Sequence, residues 1–416
     1  MSLTRRSFLA SAAAAAAPCF ATTPGRKKVA LVCTEVFVHS HAQHFLDRLA
    51  LGYNWNGQWL APEVDLVSIY VDQFHDKEDL ARGKAKKYGI PIHDSIAAAL
   101  TLGTGKLAVD GVVIIGEHGQ YPKNDKGQVL YPRHKFFKEV VKVFEASGRS
   151  VPVFNDKHLS TDWAQCTEMV ADSQRLGFPF LAGSSLPVTR RLPAVDIPWG
   201  APLKESVSIG YGGVDSYDFH ALETAQCMSE RRRGGEVGIR SVQALRGEKL
   251  WQRLAGMEST QRLLVAALTR SHSLPVEGGY ESAPVSFEWA KQVFPDAFAY
   301  FIEHRDGFRT TTFMLKISDF NYAGLNGETG EITSCQMYLP MPGRGPTTAD
   351  FFNPLVHHLV QMVLTGRAPY PVERTLLTSG MLLSAVDSLH RDGALVETPE
   401  MAVAYEAPKE PMYWRG

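Results

Sequence analysis

From residue 28 to residue 182 the chain alternates short aliphatic and β-branched runs with longer stretches whose apolar positions recur every three or four residues. Residues 28–33 (KVALVC), 64–71 (VDLVSIYV), 89–92, 111–115 (GVVII), 151–154 and 178–181 each read as a short strand. The first and fourth are apolar almost throughout, as strands buried on both faces are. Residues 77–88, 136–147 and 161–176 read as helices, and in the second of these Phe137, Val140, Val141 and Phe144 fall on one face. Strand and helix in alternation predict an α/β fold, with a doubly wound parallel sheet over residues 27–185.

From about Leu186 the rhythm changes. Residues 187–200, rich in Pro and Arg, read as a connector. A helix is expected over 216–231 and a strand over 237–245. Residues 298–304, 308–318 and 332–339 follow as strands with Asp306-Gly307 and Thr329-Gly330 turns, which is hairpin chemistry. Helices over 349–364 and 372–390 close the chain. Residues 186–416 are therefore expected to form an α+β domain with a mainly antiparallel sheet.

The first residues follow a different logic. Thr4-Arg5-Arg6-Ser7-Phe8-Leu9, the alanine run over 10–17 and small residues around Ala21 have the form of a twin-arginine export signal spanning residues 1–21. Cys19 lacks the leucine three residues earlier that a lipoprotein site has, so a free periplasmic protein is expected. Lys and Arg number 43 against 44 acids, which gives no pull towards nucleic acid or an anionic membrane surface. No later segment approaches the roughly 20 apolar residues of a membrane span. Cys33, Cys166, Cys227 and Cys335 are widely spaced and read as small buried hydrophobes.

Ligands of an open α/β sheet bind beyond the carboxyl ends of its strands, where strand order reverses. Here those ends are polar: Thr34-Glu35 with a loop bearing His39, His41 and His44; Asp72; Glu117-His118; Asp156-Lys157-His158; and Ser184-Ser185. Converging polar ends point to a cleft for a small molecule.

With these residues in place the chain resembles the Gfo/Idh/MocA oxidoreductases. Tyr88-Gly89-Ile90-Pro91, Asp110 to Ile115 and Asp156-Lys157 follow that family's order. Asp156-Lys157-His158 stands where it has Glu-Lys-Pro, and His220 where a second-domain helix carries Asp-x-x-x-His. Gly366 to Glu373 and Ser388 to Gly393 match its closing helices. The resemblance implies a Rossmann-like domain binding NAD or NADP beside Thr34, Glu35, Asp72, Glu117 and His118. It also implies a carbohydrate-like substrate, with Lys157 and His220 as the catalytic pair, and leaves a homo-oligomer open. Lys157, near a positive ring, would have its pKa lowered towards working pH.

The chain also departs from that pattern. The turn Thr34 to His39 has no glycine where the family has G-x-G-x-x-G, and Glu35 puts a negative charge near the diphosphate. Ser216 stands in place of the aspartate. Two alternatives follow. One is a metal-dependent lyase or hydrolase holding a divalent ion among His39, His41, Glu117, His118, His158 and His220; the other is a non-catalytic sugar-binding relative. The run Arg231-Arg232-Arg233 is read as a solvated helix end, with an anion contact as the other reading.

Overall fold

A computed structural model describes residues 25–275, 284–340 and 348–415. The expected leader lies outside them. Strands β1 (Lys27–Cys33), β4 (Val64–Val71), β5 (Ile92–His93), β6 (Gly111–Ile115), β7 (Val153–Asp156) and β8 (Phe180–Gly183) form one parallel sheet, in the order β5-β4-β1-β6-β7-β8. A small hairpin, β2 (Tyr53–Trp55) with β3 (Gln58–Leu60), stands apart from it.

The strand pattern explains why both faces are covered. Val29, Leu31 and Cys33 of β1 point into one core with α1 (His41–Leu51) and α2 (Ala81–Tyr88). Ala30 and Val32 point into another, with α3 (Ile96–Thr101), α4 (Arg133–Ser147) and α5 (Trp163–Leu176). A period of two along an apolar run leaves neither face polar, so helices must close both.

The second sheet has eight strands. These are β9 (Arg191–Leu192), β10 (Leu203–Gly210), β11 (Ile239–Arg246), β12 (Phe298–His304), β13 (Arg309–Met314), β14 (Phe320–Asn326), β15 (Ile332–Met337) and β16 (Val396–Glu397). All neighbours are antiparallel except β10 and β13. One face packs on α7 (Glu248–Leu254), α8 (Glu258–Leu268) and α9 (Phe287–Val293). The other packs on α6 (Asp218–Ser229) and α11 (Glu373–His390). Helix α10 (Phe352–Thr365) returns to the first sheet and shares the core of α1, through Phe352, Leu355, Val356 and Leu359.

Several sequence expectations shift. His41 and His44 do not lie in a loop: Ser40 accepts a hydrogen bond from the Gln43 amide and caps α1, which begins at His41. Gly89 is the left-handed C-cap of α2 at φ 67°, so the third strand starts later, at Ile92. The fifth and sixth strands begin after Pro152 and Pro179, which puts Asn155 and Asp156 inside β7. Strands β10 and β14 were not expected at all, yet they sit inside the second sheet. The four cysteines are free and buried, as read from the sequence. Among the described residues no helix is long and apolar enough to cross a membrane.

Candidate active site

The sheet order reverses between β1 and β6, and the polar strand ends meet at that edge. The Thr34 hydroxyl, after β1, donates to the Glu117 carbonyl, after β6, and so closes the switch point. One carboxylate oxygen of Glu117 accepts from Arg133 at 2.7 Å, and the other lies 3.5 Å from Lys157 Nζ. Arg133 also donates to His158 Nε2 at 3.0 Å, and His158 stands 3.7 Å from Asp215, which accepts from Gln128. His41 reaches Asp156 at 2.7 Å.

Across the gap between the sheets, Lys157 Nζ lies 3.1 Å from His220 Nε2 on α6. On the other side of the ring, His220 Nδ1 is 2.9 Å from Ser184 Oγ. Ser184 in turn donates to Glu223 from both its hydroxyl and its amide. Tyr217 and Phe320 stand beside the imidazole, each with ring centroids 5.8 Å from it.

Lys157 and His118 both hold left-handed backbone, at φ 65° and 70°. Such conformations cost a non-glycine residue about 1–2 kcal/mol, and strain of this kind gathers at functional sites. Gly183 has a different reason to be what it is. At φ 118°, a Cβ on it would stand 2.6 Å from Glu223 Oε1. Gly183→Ala is expected to cost about 1–3 kcal/mol and to push Glu223 off Ser184. Urea unfolding measures the first effect and a crystal structure of the variant the second.

Charge in the site is balanced internally. Burial works against an ionised Glu117, but Lys157 and Arg133 hold its carboxyl well below the usual range. Burial alone would lower Lys157; Glu117, Asp156 and Tyr217 outweigh it, and the net shift is upward. The lowering expected from the sequence is thus reversed: Lys157 is a cation beside carboxylates. Burial, then Lys157 and His41, hold His220 well below the usual histidine value, so it is neutral. Burial pushes Asp215 up to about 6 and Glu223 up to about 7.

The cofactor-side residues are placed less simply. Asp72 accepts hydroxyls from Tyr70 at 2.8 Å and Tyr121 at 2.7 Å. Glu35 is buried at the end of β1, and burial pushes its carboxyl up. The glycine-free turn keeps a left-handed residue all the same, His39 at φ 67°.

The histidines proposed to share a metal do not form one set. His39 is exposed and stacks on His44, whereas His220 faces Lys157 and His158 faces Arg133. Among the described residues no three His, Cys, Asp or Glu side chains are grouped to hold a metal ion. The arginine run is neither a solvated helix end nor an anion site: Arg231 and Arg232 are buried, and only Arg233 is exposed. Arg231 donates to the Ile197, Pro408 and Lys409 carbonyls, Arg232 pairs with Glu236 and Asp306, and Arg233 pairs with Glu328.

Sequence reasoning missed Arg133 as the hub that ties Glu117 to His158, and Asp156 as the partner of His41. Nothing in the sequence marks Arg133 as buried; its place after Tyr131-Pro132, ahead of an amphipathic helix, was the only signal for the first.

No family model matches the chain, and no curated protein matches it in sequence. Solved structures do match. GenD2 from gentamicin A biosynthesis, crystallised with NAD, is 14% identical with a TM-score of 0.54, over 89% of this chain and 96% of that one. Myo-inositol dehydrogenase from Lactobacillus casei, in complex with NAD(H) and myo-inositol, is 11% identical with a TM-score of 0.55, over 89% of this chain and 96% of that one. Myo-inositol 2-dehydrogenase from Lactobacillus plantarum is 10% identical with a TM-score of 0.51, over 89% of this chain and 99% of that one. At these identities the likeness is one of fold.

Proposed function

We propose that this chain, which has the fold of the Gfo/Idh/MocA-type oxidoreductases, transfers hydride between bound NAD or NADP and a sugar, polyol or related hydroxyl compound, interconverting an alcohol carbon and the corresponding carbonyl. The observation that carries this reading is the contact of Lys157 Nζ with His220 Nε2 at 3.1 Å beside the switch point. A neutral imidazole offers Nε2 as the base that takes the substrate's hydroxyl proton. An ammonium group at hydrogen-bond distance from the same oxygen stabilises the negative charge that develops there. A substrate hydroxyl entering between the two groups would replace their mutual contact with one hydrogen bond to each.

The residues fit a dinucleotide, with adjustments. The Thr34 to Ser40 turn and the start of α1 would take the diphosphate, with His39 in the left-handed role usually given to glycine. Asp72, with Tyr70 and Tyr121, would face the ribose, and His118 and Lys157 the nicotinamide end. His118 Nε2 and Asp156 Oδ1 are buried without a hydrogen-bond partner, as groups awaiting a ligand would be. When bound, the dinucleotide supplies the acceptor or donor of the hydride. With the two cations Lys157 and Arg133 offset by the two carboxylates Glu117 and Asp156, the substrate is a neutral hydroxyl compound rather than a sugar acid.

The test is direct. Purified protein is mixed with NAD⁺ or NADP⁺ and a panel of polyols and sugars, and nicotinamide reduction is followed. Binding of neither dinucleotide, together with no reduction, would overturn this reading.

The mature chain is taken as two domains meeting near residue 186, and residues 1–21 as a twin-arginine leader that routes it to the periplasm. In support, the paired arginines, Phe8-Leu9 and the alanine run stand in the required order. Arg5→Lys with Arg6→Lys is expected to leave unprocessed protein in the cytoplasm, detected by fractionation and immunoblot. Normal periplasmic yield from that variant would refute the routing.

A further inference from the structure

Helix α6 is buried along its whole length, yet it carries Asp218, His220, Glu223, Thr224, Gln226 and Ser229. Side chains of this kind are kept in a core mainly by partners that satisfy them, and of these six only the Thr224 hydroxyl has none. Most are satisfied within the second sheet and its helices: Asp218 accepts from Tyr300 and the amides of residues 215, 216 and 219, Gln226 donates to Glu236, and Ser229 bonds Ser206 and Tyr322. Glu223 is different. It reaches out of α6 to the end of β8, where it accepts from the Ser184 amide at 2.8 Å and from the Ser184 hydroxyl.

The same hydroxyl oxygen lies 2.9 Å from His220 Nδ1, and Glu223 Oε2 itself lies 3.5 Å from that nitrogen. The aspartates near the start of the helix face elsewhere. Asp215 bonds Gln128, Asp218 bonds Tyr300, and Ser216 is exposed. We propose that Ser184 and Glu223 are the positioning pair for His220: they hold the imidazole with its hydrogen on Nδ1 and leave Nε2 as the basic nitrogen. This rests on the hydroxyl chemistry proposed above.

The donors run in one direction. Lys157 is cationic and can only donate, so His220 Nε2 must accept. The ring hydrogen therefore sits on Nδ1 and points to Ser184 Oγ, and the Ser184 hydrogen points to Glu223 Oε2. When Nε2 takes a proton from the substrate oxygen, the imidazolium keeps its Nδ1 hydrogen on Ser184, with the Glu223 carboxylate behind it. No atom of the relay has to change partner. Gly183 is what lets Glu223 come this close to the end of β8.

The pair also makes the site sensitive to pH. The groups around Glu223 are His220 on its own helix, Lys157 after β7, Ser184 after β8, and Tyr370 and Arg374 at the start of α11. Burial outweighs the cations among them and brings the carboxyl up to about 7. Once protonated, Glu223 can no longer accept both Ser184 donors. Turnover should fall as pH drops through about 7. The stability effect has the opposite sign, because the folded-state pKa of this acid is raised. Its contribution is full below about 4.5 and is lost as pH rises through about 7, so Glu223→Gln should not weaken the fold at alkaline pH.

The experiment uses the mature protein labelled with ¹⁵N-histidine, together with Ser184→Ala, Glu223→Gln and Glu223→Asp. The wild-type protein at alkaline pH is expected to show His220 as the Nδ1–H tautomer, with a slowly exchanging proton. In Ser184→Ala and Glu223→Gln that proton should exchange at least about ten-fold faster, beyond what any loss of global stability in urea on the same samples accounts for, and Glu223→Asp should recover part of the protection. Where the dinucleotide screen finds a substrate, both variants should lose about 10- to 100-fold in turnover, the usual effect of removing a partner behind a functional histidine. Glu223→Gln should also lose the acid limb of the pH profile. An Nε2–H tautomer in the wild type, or exchange unchanged in both variants, overturns the proposal. A chain that reduces no dinucleotide but shows the expected exchange pattern sinks the oxidoreductase reading and leaves the positioning pair standing.

Discussion

Lys157→Met should lower turnover about 1,000-fold, and His220→Gln by a similar factor. Each removes one of the two groups that meet the substrate oxygen, and a positioned proton acceptor or an aligned cation is worth roughly 10²–10⁴ in rate. Their costs to folding should differ. His220 is neutral and bonded to Ser184 and Lys157, so a glutamine amide can replace part of both contacts. Lys157 is buried and matched to Glu117, so its loss leaves that carboxylate to Arg133 alone. A loss of about 1–3 kcal/mol is expected, the penalty for a buried group deprived of one partner. Adding Glu117→Gln to Lys157→Met should recover neither turnover nor stability, because it takes from the buried Arg133 its carboxylate partner. Urea unfolding and dinucleotide reduction on the same samples read both. Full activity in either single variant would remove the catalytic pair.

What could be read from the sequence follows from what each segment buries. Strands β1 and β6 are nearly continuous apolar runs and β4 a mainly apolar one, and the ends of all three fall within a residue of the expected positions. Strands β10 and β14 carry Lys204, Glu205, Ser206, Ser208, Asn321 and Gly324, and only their neighbours in the sheet make them strands. Helix α1 was obscured by its histidines, which read as loop chemistry although Ser40 supplied a cap signal. The site shows the same division. The resemblance that the order of motifs carries implied that Lys157 and His220 would meet, and they lie 3.1 Å apart. The upward shift of Lys157 could not be foreseen, because it depends on Glu117 lying one strand away, and sequence distance says nothing of that.

Arg374→Met should cost about 3–5 kcal/mol of stability, as expected when one partner of a buried ion pair is removed. Arg374 opens α11 and donates from Nε to Glu230, just beyond α6, at 2.8 Å, with a second bond from its terminal nitrogen. Both residues are buried, the guanidinium stacks 3.9 Å from the centre of the Tyr370 ring, and Tyr405 donates to the same carboxylate at 2.7 Å. In the variant Glu230 would keep only the tyrosine, and an uncompensated charge would remain in a core that has no water to offer it. Because α11 packs against α5 of the first sheet as well as against α6, the damage should reach His220. The single variant is therefore expected to lose cooperativity in urea and turnover together. Arg374→Met combined with Glu230→Leu removes both charges, and swaps of that kind for apolar residues of similar volume are often neutral. The double variant should regain most of the stability and, with α6 seated again, the turnover. Recovered stability without recovered turnover would mean that the pair acts on the site by a route other than holding the helix in place.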